Sequence, residues 1–155
     1  MEGRDYGLTE DQIGMRGLCR KFVDEVVIPF VKENHEREWY APPEERWPKE
    51  LMYEVDKLGI RALGVPEKYG GMSVDTLTMA IIIEELGRGN PGFTNTLTQG
   101  IKLSALLARI SPEHLQDKWF PEYLQDPTFL MANCMTESQG ASDRALPYNV
   151  PEASL

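Results

Sequence analysis

The feature that most constrains this chain is a wide apolar stripe near its N-terminus. Met15, Leu18, Phe22, Val26 and Phe30, joined by Cys19, Val23, Val27 and Val31, recur at the spacing of one helix face and not at the alternation of a strand. A helix patterned this way buries one side, so the rest of the chain must supply elements to cover it. Thr9, followed three residues later by Gln12, makes a capping box that starts the helix. Pro29 falls inside the pattern and is expected to kink or end it before the polar run over 32–38.

The elements that follow are again helical. Pro48 suits a first helical position, Leu51, Val55 and Leu58 repeat at i, i+4 and i+7, and Gly59 suits the C′ position of a short second helix. Gly64-Val65-Pro66-Glu67-Lys68-Tyr69-Gly70-Gly71 reads as a rigid loop, since proline fixes one dihedral and glycines relax others. Ser73 is the expected cap of a third helix over 74–86, ending at Gly87. Its Leu77, Met79, Ala80, Ile81, Ile82 and Ile83 are apolar almost all round, which predicts a central position. Asn90-Pro91 opens a fourth helix, with Phe93, Leu97, Ile101 and Ala105 at four-residue spacing. Ser111-Pro112 opens a fifth, with Leu115, Trp119 and Tyr123 on one side and Pro121 as a bend, until Asp126-Pro127 stops it. Only 129–136 reads as a strand, and one strand cannot make a sheet. The expected fold class is all-α, a bundle of about five helices with one C-terminal strand.

Composition narrows the partners. A chain of 155 residues, 41% hydrophobic, can enclose one core. Its 25 acids against 16 basic residues give a formal charge of −9, which argues against nucleic acid and anionic membrane surfaces as bulk partners. Cys19 and Cys134 lie far apart and form no C-x-x-C pair, which points to a reducing compartment and away from zinc, without formally excluding a disulfide. The charged start Met1-Glu2-Gly3-Arg4-Asp5 has no apolar signal segment behind it and no run is long enough to span a membrane, so the expected location is cytoplasmic.

Several apparent motifs carry a plainer reading. Gly87-Arg88-Gly89-Asn90-Pro91-Gly92 matches G-x-G-x-x-G, but it lacks a βαβ setting and reads as a turn between helices. His35 and His114 lie in no ligand cluster, and His35 beside Glu36 reads as a solvated helix face. Of the adjacent Glu84 and Glu85, one should point out, and a structural role such as pairing with Arg88 is preferred to acid/base work. Trp39, Trp47 and Trp119 read as packing residues.

The segment most suited to a ligand is Met131-Ala132-Asn133-Cys134-Met135-Thr136-Glu137-Ser138-Gln139-Gly140-Ala141-Ser142-Asp143. Thr136, Ser138 and Ser142 offer hydroxyls, and Gly140-Ala141-Ser142 can present successive N–H groups to an anion. Taken with Lys57-Leu58-Gly59-Ile60-Arg61-Ala62-Leu63-Gly64-Val65-Pro66-Glu67-Lys68-Tyr69-Gly70-Gly71, and with the Glu84-Glu85-Leu86-Gly87 helix end at the right distance, it resembles the N-terminal part of the acyl-CoA dehydrogenase family. The first block is similar to that family's "LG…G…VPE-YGG" loop and Met135-Thr136-Glu137-Ser138-Gln139-Gly140-Ala141-Ser142-Asp143 to its "TEP-x-x-GSD" flavin motif. Ser138 stands where the family usually carries proline, and Ala141 where it usually carries glycine.

The resemblance implies a flavoenzyme with an N-terminal helical domain, here 1–127, and a middle β domain of which 128–155 is the truncated start, followed by a C-terminal helical bundle. It implies FAD as cofactor, with Asn133, Cys134, Met135 and Thr136 beside the isoalloxazine ring and Ala141 and Ser142 at the pyrophosphate. Ser142 would also border the acyl-CoA, and the fourth helix would line the acyl pocket with Asn95, Thr96, Gln99, Gly100 and Leu103, the glycine making room and the Gln99 amide meeting a polar end. The reaction implied is α,β-desaturation of an acyl-CoA thioester, with a carboxylate from the absent bundle taking the α proton, so that this chain alone is expected to lack the base and to be inactive. An electron-transfer flavoprotein or similar acceptor, and a homo-oligomer or a completing chain, are the partners implied. Two alternatives remain open, a non-catalytic or split partner completing a flavin site with another polypeptide, and a plain helical interaction module.

Overall fold

The computed structural model describes residues 7–134. Helix α1 (Glu10–Phe22) starts at the predicted capping box, with Gln12 N–H donating to Thr9 Oγ1 at 3.3 Å and Thr9 N–H to Gln12 Oε1 at 3.1 Å. The helical path then widens into a π turn (Val23–Val27) and continues as α2 (Ile28–Glu33). The expected break at Pro29 thus takes the form of a π turn directly ahead of it. A proline lacks the N–H of a regular turn and its ring collides with the carbonyl four residues back, and an inserted residue relieves both. The buried line along this path is Cys19, Phe22, Val23 and Val27; Leu18 is 39% exposed, and Met15, Val26, Phe30 and Val31 sit at the margin.

Two short helices were not legible in the sequence, α3 (His35–Tyr40) and α4 (Pro43–Arg46), which fold the polar run back toward the core. Arg37 holds this corner. Its guanidinium donates to the carbonyls of Glu45 and Trp47, each at 2.6 Å, and to both carboxylate oxygens of Glu50. Helix α5 (Lys49–Lys57) follows, with Pro48 at the N-cap rather than inside the first turn, and Gly59 takes the left-handed φ of 72° that ends it. The loop beyond is built from two 3₁₀ turns, Ile60–Gly64 and Glu67–Tyr69.

Helix α6 (Thr76–Gly89) is capped by Asp75, whose side chain accepts from the N–H groups of Leu77 and Thr78, and not by Ser73. Its end also lies beyond Gly87. A Cβ on Gly89 would come within 2.9 Å of Cγ1 of both Val23 and Val27, so the helix continues where glycine allows close packing on the π turn. α6 packs against α1 on one side and α7 on the other, as its apolar pattern predicts, while Leu77 and Glu84 face outward. Glu85 is buried and takes both Nε and Nη2 of Arg20, with Arg88 Nε 3.6 Å away, the structural role expected for one of the two glutamates. Burial, reinforced by the nearby Glu85 charge, pushes the Cys19 thiol up to about 11. Cys19 is buried and Cys134 exposed, and neither is in a disulfide.

The G-x-G-x-x-G match is a turn between helices, with Asn90 ending α6 and capping α7 (Pro91–Ile110). α7 buries Phe93, Leu97 and Ile101 as predicted, then Ser104 in place of Ala105, because four-residue steps drift off a 3.6-residue helix. α8 (Glu113–Gln125) runs through Pro121 and buries Phe120 and Tyr123 rather than Leu115 and Trp119. Among the described residues no strand forms. Residues 129–134, the start of the expected strand, run outside any ladder, for which a second strand would be required.

Candidate functional site

The candidate site is the outward face of α7. Asn90 accepts from Phe93 N–H at 2.8 Å and Pro91 occupies the first turn, so the helix start is well defined. From there a period of 3.6 residues sends Phe93, Thr94, Leu97, Thr98, Ile101 and Ser104 into the core and leaves Asn95, Thr96, Gln99 and Leu103 on the opposite side. Leu106 and Ile110 extend this face and are 44% and 66% exposed.

The polar groups on it differ in commitment. Thr96 donates its hydroxyl to Gly92 carbonyl at 3.1 Å, which leaves its oxygen as an acceptor. The amides of Asn95 and Gln99 make no hydrogen bond among the described residues. Gly100 belongs to the other side. It is buried, and a Cβ there would meet Tyr123 Oη at 2.7 Å, so the room left by the missing side chain is taken by Tyr123 and not offered to an acyl chain. Of the five predicted wall residues, the helix therefore gathers four.

The second part of the expected site approaches α7 through the turn after α8. Phe129 N–H donates to Asp126 carbonyl at 3.0 Å, and Asp126 Oδ1 accepts from Thr128 N–H and Oγ1 at 2.8 and 2.7 Å. These bonds to Thr128 hold the Asp126 carboxyl below its ordinary range. Phe129 then packs edge-on against Tyr123, with ring centroids 6.0 Å apart, and the sulfur of Met131 lies 3.9 Å from Ser104 Oγ. The chain leading to the flavin-like motif is thus laid against the middle of α7. Asn133 and Cys134 are exposed, and their backbone groups make no hydrogen bond among the described residues. Met135, Thr136, Ala141 and Ser142 lie outside the described residues.

The residues that sequence reasoning missed are those that fix this geometry. Arg61 is 1% exposed and reaches from the 3₁₀ loop across to the end of α8. Its Nη1 bonds Asp56 Oδ1 at 2.7 Å, and Nη2 donates to the carbonyls of Tyr123 and Asp126, both at 2.9 Å. The guanidinium also lies 4.5 Å from the Tyr123 ring centroid, and Tyr123 Oη returns a bond to Arg61 carbonyl at 3.2 Å. Burial raises the Tyr123 phenol, against the opposing charge of Arg61. The signal was present in Ile60-Arg61-Ala62-Leu63-Gly64, where a lone cation sits among apolar and small residues. A second feature went unread, a cleft of about 330 Å³ beside the first turns of α7, lined by Thr96 together with residues of α2 to α5.

Residues 9–126 match the family model described as acyl-CoA dehydrogenase, N-terminal domain. Similar proteins include (2S)-methylsuccinyl-CoA dehydrogenase of Cereibacter sphaeroides, 28% identical over 137 residues that make up 88% of this chain and 24% of that protein. Mitochondrial isobutyryl-CoA dehydrogenase of Dictyostelium discoideum is 28% identical over 137 residues, covering 88% of this chain and 31% of its own length. Mitochondrial short-chain specific acyl-CoA dehydrogenase of Sus scrofa is 26% identical over 118 residues, 75% of this chain and 27% of the relative. The chain therefore spans about a quarter to a third of the length of these curated relatives.

Proposed function

Because the chain belongs to the acyl-CoA dehydrogenase family, we propose that it supplies the N-terminal domain and part of the flavin site of an FAD-dependent enzyme that desaturates an acyl-CoA thioester between its α and β carbons. The observation that carries this reading is the juxtaposition at the middle of α7. The segment that runs into Thr136 and Ser142 reaches α7 at Ser104 on its core side, while on its outward side the amides of Asn95 and Gln99 make no hydrogen bond among the described residues. FAD, when bound, would supply the acceptor for the β hydride.

Each part of the chain has a defined task in that reaction. Asn133, Cys134, Met135 and Thr136 would border the ring, where the Thr136 hydroxyl could meet its polar edge, and Ala141 and Ser142 would offer amides and a hydroxyl to the pyrophosphate. Leu103 and the apolar remainder of the α7 face exclude water from the acyl chain, and Gln99 and Thr96 meet polar groups along it. The proton-abstracting carboxylate is assigned to a part of the enzyme beyond these residues, and an electron-transfer flavoprotein and a second copy of the chain are the proposed partners. No helix among the described residues is long and apolar enough to cross a membrane.

The reading is tested by anaerobic titration of the flavin-loaded protein with acyl-CoA thioesters of graded length. Loss of the visible flavin absorbance is expected with at least one of them. Flavin bound yet unbleached across the series would overturn the assignment. Within the same enzyme, Gln99→Leu is expected to shift the ratio of kcat/KM toward aliphatic acyl chains and away from chains with a polar end, by about 1–3 kcal/mol, the penalty for a buried polar group left unmet. Equal ratios before and after the substitution would remove Gln99 from the wall.

A further inference from the structure

We draw no further inference here: the strongest candidate, the surface patch on the outward side of α7 where Leu106 and Ile110 stand exposed beside Lys102 and Arg109, belongs to the site already described, and nothing in the structure shows what covers it.

Discussion

Replacing Arg61 by methionine is expected to destabilise the protein by about 3–5 kcal/mol, the range for removing one partner from a buried ionic and hydrogen-bonded cluster. The side chain is almost wholly buried and serves three acceptors on two elements, the Asp56 carboxylate and the carbonyls of Tyr123 and Asp126. Methionine fills a similar volume, so the loss measures the unmet polar groups and not a cavity. Tyr123 lies in the last turn of α8 and Asp126 is its C-cap, where a cation complements the helix dipole. Lysine would retain the charge but cannot span Asp56 and both carbonyls with one ammonium, and should recover only part of the stability. Denaturant midpoints of Arg61→Met and Arg61→Lys against the parent check this. A loss under about 1 kcal/mol for methionine would mean that the cluster relaxes around the gap. A functional consequence follows from the same contacts, since the turn at Asp126 packs Phe129 on Tyr123 and brings Met131 to Ser104 of α7. On the proposed function, flavin retention should therefore weaken in Arg61→Met even though Arg61 stands outside the proposed flavin segment.

Gly64→Ala is expected to cost about 3 kcal/mol, at the upper end of overpacking effects. A Cβ on Gly64 would overlap the backbone carbonyl of Ile101, so the obstacle is main chain in the middle of α7 and not a side chain that can turn away. The 3₁₀ turn Ile60–Gly64 and α7 must then separate, taking Ile60, Leu63 and Ile101 out of full contact. Gly87→Ala supplies the contrast. That glycine lies inside α6 with nothing within 4 Å of an added Cβ, so the same chemical change should stabilise the protein by about 0.5–1 kcal/mol through helix propensity. Opposite signs for the two alanines in thermal melts are the expected result. A neutral Gly64→Ala would show that the loop and α7 are less closely apposed than described.

The positions of the long helices were legible because each carries its own periodic stripe and its own punctuation. Thr9 with Gln12, Asn90-Pro91 and Asp126-Pro127 mark boundaries that the structure places within a residue. The short helices α3 and α4 were not legible, since a polar segment of six or four residues has no stripe of its own and is held by Arg37 bonding across it. The end of α6 was misplaced for a related reason. Gly87 is as good a local stop signal as Gly89, and only the valines of the π turn show that Gly89 is where space is needed. The residues predicted for an acyl wall divide the same way, with the outward placement of Asn95, Thr96, Gln99 and Leu103 following from helix phase, while Gly100 answers to Tyr123, a partner on another helix.

By itself the sequence determined the helical class, the succession of the long helices, the phase that turns one side of α7 outward and the family to which these motifs belong. All of these depend on residues within a few turns of one another or on short ordered blocks, where spacing alone carries the physics. The tertiary structure decided the rest. It placed the Arg61 guanidinium on the carbonyls of Tyr123 in the last turn of α8 and of Asp126 just beyond it, brought Met131 to Ser104, and set Arg46, Trp47 and Thr96 around one cleft. These contacts join residues tens of positions apart, and their energies come from burial and from hydrogen bonds satisfied across elements, which no local pattern encodes.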